Sequence, residues 1–256
     1  MIYLLASGLS TFYGIASGLG AVTLLRPLLD TVSPLPVASI AALCTMASLC
    51  ASLVSAFFAL SQPIPLPQDD LLMIAVSAAL GGILGDLAAS RFVNVLMPAH
   101  AAQLQSALLL LLLLLPLLYF SRLSHALRPL SLPRTMLFPA SLVIALLGSF
   151  LAFGAEPLSL MLFFLLFDAD SDEASFAALE IALFSMAGKL IAILIRERFA
   201  LPDAQTLLWL LPGALLGALA AMLPRIARLP QQSGASFLRL SAFTSLLNVA
   251  AATLVR

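Results

Sequence analysis

Eight consecutive leucines, Leu108 to Leu115, lie in an uncharged stretch over 102–120, and comparable apolar stretches recur at 2–29, 37–60, 71–90, 136–167, 174–195, 204–223 and 235–255. A helix needs roughly 20 apolar residues to span a bilayer. Hydrocarbon satisfies no backbone group, so a chain patterned this way must fold as helices that bond their own backbone. Composition agrees: 62% of the 256 residues are hydrophobic and 9% charged, against about 25% charged in a soluble domain. The expected fold is an all-α polytopic membrane protein of about eight transmembrane segments, with the lipid bilayer as its principal partner. The stretch 102–120, apolar on every side and ending at Tyr119 and Phe120, reads as an outer, lipid-facing helix. The opening MIYLLASGLS has no basic region before its apolar run and reads as a retained first span. A formal net charge of zero argues against nucleic acid as a partner.

Within the first segment, Gly14 to Leu29 reads GIASGLGAVTLLRPLL, with three glycines, an arginine and a proline. Gly14, Gly18 and Gly20 loosen a helix, and Pro27 removes an amide donor and crowds the carbonyl four residues back, near Thr23. Freed backbone groups survive in a membrane only inside protein or along a cavity. Discontinuous helices of this kind form the substrate sites of many secondary transporters. The same residues also suit a kinked, glycine-packed helix with no ligand.

The segment GLGAVTLLRPLL resembles the signature of the TauE/SafE family of sulfite and organosulfonate exporters, a glycine-rich GxGGGxxxxPxL pattern. Gly18 and Gly20 match its first two glycines, and Pro27 and Leu28 fall on its PxL. Ala21 and Val22 replace the other glycines, and Arg26 replaces a residue that is usually apolar. The resemblance extends over nearly the whole chain. It implies secondary transport of a small anion such as sulfite, an organosulfonate or a carboxylate, with a possible coupling ion, in a bacterial plasma membrane.

Internal repetition divides the chain. Gly14 to Ala21 aligns with Gly148 to Ala155 at an offset of 134, and GGILGDLAA from Gly81 aligns with GALLGALAA from Gly213 at an offset of 132. Two glycine patterns in one order and at nearly one offset point to a duplicated four-segment unit. The expected organisation is two homologous halves, 1–121 and 136–256, with broken first helices and a basic linker over 122–135. If each first segment crosses the membrane, the halves are parallel. If it is a re-entrant hairpin folded at Gly18–Gly20, they are inverted. The small residues of 37–60, including Ala47, Ser48, Ala51 and Ser52, suit close helix packing in lipid.

A charge in hydrocarbon costs about 2.5–3.5 kcal/mol on the insertion scale, so each intramembrane ionisable residue is a candidate. Arg26, beside the break, offers a planar fork to an oxyanion, or pairs with Asp30 one turn on. Glu156 lies in the repeated break with Gly154 before it and Pro157 after it. It either carries a coupling proton or rests on a helix N-terminus. Glu180 and Lys189 face opposite sides of one helix, nine residues apart, so they cannot pair. Lys189 then requires Glu156 or an anion as partner, or snorkels to the interface. Asp86 and Arg91 read as an interfacial pair. The expected substrate-binding set is thus Gly18, Gly20, Arg26, Pro27, Gly154, Glu156, Pro157 and Lys189, with Glu156 and Glu180 as proton-coupling candidates.

Catalytic and metal readings fail. The sequence has no HExxH, Walker loop or GxSxG, and His100 and His125 read as loop residues distant in sequence from any acidic cluster. The run Asp168 to Glu173, DADSDE, lacks the glycine and terminal glutamate of a calcium loop and reads as solvated. Cys44 and Cys50 read as packing residues rather than a disulfide. No enzyme, metal or cofactor is expected. The reading from another class is a non-transporting membrane scaffold or assembly protein built on its small-residue helix faces.

Overall fold

A computed structural model describes residues 1–33, 35–61, 63–95, 98–123, 128–153, 155–197, 204–223, 242–243 and 245–246. Regular structure among the described residues is helical: α1 Ile2–Ala16, α2 Leu25–Val32, α3 Val37–Ala59, α4 Gln68–Val95, α5 Pro98–Leu118, α6 Leu137–Leu151, α7 Glu156–Phe167, α8 Ser171–Arg196 and α9 Ala204–Ala221. A π turn, Tyr119–Leu123, widens the end of α5, and a 3-10 turn, Arg134–Met136, leads into α6. Six segments of the described residues are long and apolar enough to cross a membrane: Val37–Ala59, Gln68–Val93, Gln103–Ser121, Arg134–Leu151, Ser171–Arg196 and Ala204–Ala221. The expected segment 235–255 lies outside the described residues, apart from Ala242, Phe243, Ser245 and Leu246.

The segments at 2–29 and 136–167, for which crossing and re-entrant readings stood open, are each two helices doubled back. In the first, Tyr3 near the start of α1 meets Ser33 after the end of α2, their hydroxyls 3.3 Å apart. Deeper in, Ser10 Oγ donates to the Ala21 carbonyl at 2.9 Å, and the amides of Leu19 and Gly20 donate to the Gly14 carbonyl. Gly18 and Gly20, with φ of 72° and 85°, turn the chain in the left-handed region that only glycine occupies cheaply. In the second, the amides of Leu130 and Leu132, ahead of α6, donate to the carbonyls of Leu165 and Leu166 at the end of α7, at 2.8 and 2.7 Å. Its tip holds Ala152 and Ala155 at φ of 54° and 59°. Each hairpin therefore leaves on the face where it starts. Leu19 and Ala21 of the first tip and Ala152, Phe153 and Ala155 of the second are buried, while Gly18 is exposed, so the turn backbone is sheltered by protein or opens on a cavity, as a membrane requires.

Pro27 and Pro157 do not make these breaks. They are the third residue of α2 and the second of α7, where an amide has no intrahelical acceptor to lose. The prolines start the outgoing helices, and the left-handed residues stop the incoming ones.

Glycine decides how the hairpins are held. A Cβ on Gly81 would lie 2.6 Å from the Leu142 carbonyl of α6, and one on Gly85 would overlap the Leu146 carbonyl. Gly213 and Gly217 leave the same room for the Leu4 and Gly8 carbonyls of α1. Ser149 Oγ donates to the Gly82 carbonyl at 2.6 Å, and Ser7 Oγ to the Leu210 carbonyl at 2.8 Å. Thus α4 carries the first helix of the second hairpin, and α9 carries the first helix of the first. On its other side α4 meets α8, where Gly82 abuts the Ser185 carbonyl and Gly188 the Ala79 carbonyl. The leucine-rich α5 lies outermost, burying Leu109, Leu112 and Leu113 and exposing Leu111, Leu114 and Leu115.

An ion pair at 3.0 Å between Asp70, at the start of α4, and Arg134 places that end of α4 beside the mouth of the second hairpin. From the mouth of the first hairpin, α3 crosses to that face, α4 returns, and α5 crosses again to the second mouth. The two hairpins therefore enter from opposite faces, their tips meeting between α3 and α8.

Candidate functional site

Two cavities flank the antiparallel α3–α8 pair, one at each end. The first, about 200 Å³, lies between the C-terminal part of α3 (Ser52, Ser55) and the N-terminal part of α8 (Ser175). Its floor is the tip of the first hairpin, Gly18 and Gly20, together with Glu156 from the second. Glu156 is the first residue of α7, 6% exposed, at the positive end of the helix dipole. Its carboxylate rests on the bare Cα of Gly20: a Cβ there would lie 2.5 Å from each carboxylate oxygen. Oε2 has no hydrogen-bond partner among the described residues. The serine hydroxyls and this carboxylate make a small polar chamber in an otherwise apolar wall.

The second cavity, about 220 Å³, lies between the N-terminal part of α3 and the C-terminal part of α8. Phe150, from the tip region of the second hairpin, also lines it, and Asp86, Ser90, Gln105, Lys189, Arg196 and Glu197 supply its polar lining. Lys189 is 1% exposed, and its ammonium donates to the Ser149 carbonyl in the last turn of α6. The carbonyls ending a helix lack intrahelical donors and carry its negative dipole end. That site offers a cation up to about 2 kcal/mol, which largely offsets the insertion penalty. Arg196 pairs with Asp86 across to α4 and with Glu197 at 3.1 Å.

The structure thus brings Gly18, Gly20 and Glu156 together and places Lys189 in the other cavity. Lys189 is neither snorkelled nor paired with Glu156; its partner is a backbone carbonyl. Arg26 forms the pair with Asp30, at 3.1 Å, with side chains 4% and 14% exposed to the surroundings of the protein. Neither Arg26 nor Glu180 lines either of these two cavities, although Glu180 Oε2 is buried without a partner among the described residues. Gly154 lies outside the described residues. Asp86 pairs with Arg196 instead of Arg91, which is exposed. Cys44 and Cys50 are free thiols. In the acidic run, Asp170 does more than face solvent: its carboxylate accepts from the amides of Asp172 and Glu173 and caps α8.

Sequence reasoning missed Asp86 and Arg196 as partners in a cavity. A signal for one of them exists, because Lys189, Ile193 and Arg196 recur at helical spacing and form one stripe of α8.

This is a multi-pass helical membrane protein whose doubled-back helices meet inside the fold, the construction in which secondary transporters place their ligands. The family model described as Sulfite exporter TauE/SafE matches residues 2–252, and the chain belongs to that family, one of transporters rather than enzymes. No curated protein and no solved structure matches it.

Proposed function

We propose that the protein exports a small anion of the sulfite, organosulfonate or carboxylate class by secondary transport across a bacterial plasma membrane. One observation carries this reading: two cavities lie at opposite ends of the α3–α8 pair, and the tips of hairpins from opposite faces lie between them. A ligand that passes the tips moves from one chamber to the other, and rocking of one half against the other exposes each in turn.

The halves 1–121 and 136–256, joined by 122–135, are read as inverted repeats. Each has a hairpin followed by two long helices in the same order, and each packs its glycine-bearing third segment on the other's hairpin. Lys189 borders the anion's path from the second cavity, and the backbone at Gly18 and Gly20 borders it from the first. Arg26, with Pro27, holds the outgoing arm of the first hairpin; a direct hold on the anion requires it to leave Asp30. Glu156, in the chamber opposite Lys189, is the favoured proton carrier, with Pro157 fixing its helix start; Glu180 is the second candidate.

The scaffold reading needs free small-residue faces for partners. Gly81, Gly85, Gly213 and Gly217 are instead filled by helices of this chain.

Liposomes holding the purified chain alone and loaded with sulfite test the proposal. Outward sulfite flux is expected, driven by a pH gradient in the native protein and no longer so driven in Glu156→Gln. Absence of flux for sulfite, methanesulfonate and acetate alike would remove the transport reading.

A further inference from the structure

The second cavity holds a charge arrangement for which transport alone does not account. Lys189 and Arg196 share one stripe of α8, seven residues apart, and both line the cavity. Asp86 enters from α4 and takes the guanidinium of Arg196. The Asp86 side chain is 5% exposed and that of Arg196 35%, so the pair runs from the buried wall toward the mouth. Glu197 holds the Nε edge of the same guanidinium, and its side chain is 54% exposed. Two cations are thus matched by two carboxylates, of which Asp86 is the buried one.

We propose that Asp86 is a tethered competitor for the transported anion: a small oxyanion binds between Arg196 and Lys189 by displacing the Asp86 carboxylate from the guanidinium. This rests on the anion-transport reading and deepens it. Asp86 takes Nη1 of the guanidinium and Glu197 takes Nε, so a sulfite, sulfonate or carboxylate that engages the planar fork through two parallel donors must displace a resident, of which Asp86 is the one in the cavity wall. The cavity, about 220 Å³, is below the roughly 300–1,000 Å³ of sites for drug-sized ligands and several times the ~30 Å³ share of one water. One small oxyanion with a little water fits it.

The competitor also answers a kinetic requirement. Conduction needs a site favourable enough to enter and weak enough to leave. Two cations facing a small cavity with no resident anion would retain an oxyanion. A carboxylate on the neighbouring helix lowers the affinity and reclaims Arg196 as the anion departs. Because Asp86 sits on α4 and Arg196 on α8, anion binding also releases one tie between these helices.

Sulfite titrated calorimetrically into the full chain in lipid nanodiscs tests the proposal. Asp86→Asn keeps the shape and removes the charge, so sulfite is expected to bind roughly tenfold more tightly and to leave liposomes more slowly. A gain of affinity cannot come from misfolding. Arg196→Gln and Lys189→Gln are expected to lose sulfite binding, with thermal unfolding recorded alongside to identify a collapsed fold. Equal or weaker sulfite affinity in Asp86→Asn overturns the competitor. Full flux and affinity in both Arg196→Gln and Lys189→Gln overturn the site while leaving transport standing. Sulfite binding that responds to Asp86→Asn, in a protein without flux, overturns transport and leaves the site.

Discussion

Gly18 and Gly20 both turn the first hairpin at positive φ, yet only Gly20 touches a functional group. A Cβ at Gly18 meets nothing within 4 Å, whereas one at Gly20 collides with the Glu156 carboxylate. Gly18→Ala and Gly20→Ala therefore share a backbone penalty of about 1–2 kcal/mol, and only the second displaces the carboxylate. Comparable losses of thermal stability are expected, with sulfite flux reduced several-fold more in Gly20→Ala. Equal flux in the two variants would deny Glu156 its role. The Arg26–Asp30 pair gives a second test at this scale. Removing one partner of a buried pair costs about 3–5 kcal/mol because the other charge is left alone. Arg26→Leu is expected to lower the unfolding temperature in detergent markedly, and adding Asp30→Asn is expected to restore most of it. If the double variant stays as unstable as the single, the guanidinium has another essential partner. The position of Arg26 beside the break was legible from spacing alone. Its engagement with Asp30 was one of two open readings, because an i,i+4 pair and a ligand contact need the same residues.

At the scale of elements, the duplicated glycine patterns proved informative, but for a different reason in each pair. Those over Gly14–Ala21 and from Gly148 to Ala155 lead into hairpin tips, where Gly18 and Gly20 take left-handed angles in the first copy and Ala152 and Ala155 in the second. Those at Gly81–Gly85 and Gly213–Gly217 mark helix faces that admit a neighbour's backbone. The doubling-back at Gly18–Gly20 was one of two open readings, and the sequence did not choose between them. A hairpin of two apolar arms and a single long span present the same run of apolar residues, and only contacts between distant residues, such as Tyr3 with Ser33, separate them. The union of Asp86 with Arg196 was hidden for a related reason, since it depends on how α4 meets α8. Gly85→Leu and Gly217→Leu each force a side chain into a backbone contact, with an expected loss of about 1–3 kcal/mol or more from overpacking. Leu84→Ala, on the exposed side of α4, is expected to change stability little. Thermal unfolding followed by size-exclusion chromatography makes the comparison. Glycine variants that remain stable monomers would free those faces for partner helices and revive the scaffold reading.

At the scale of the whole molecule, inverted halves make a prediction about sidedness that parallel halves do not. The first cavity lies at the end of α3 that leads into α4, near the mouth of the second hairpin, and Ser55 lines it. The second lies at the opposite end of α3, near the mouth of the first hairpin, and Ser90 of α4 lines it. With Cys44 and Cys50, the free thiols of the sequence, replaced by alanine, single cysteines at Ser55 and Ser90 report each cavity separately. A membrane-impermeant maleimide applied to sealed, oriented vesicles should label Ser90→Cys from one side and Ser55→Cys from the other. A cysteine in the basic linker at Ser131 fixes which side is which, because that residue precedes the second hairpin. It should label from the same side as Ser55→Cys. Under rocking transport, sulfite should alter the two cavity labelling rates in opposite directions, since opening one chamber closes the other. Labelling of Ser55→Cys and Ser90→Cys from a single side would exclude the inverted arrangement. Opposite-sided labelling that sulfite moves in the same direction at both positions would keep the arrangement and exclude the rocking.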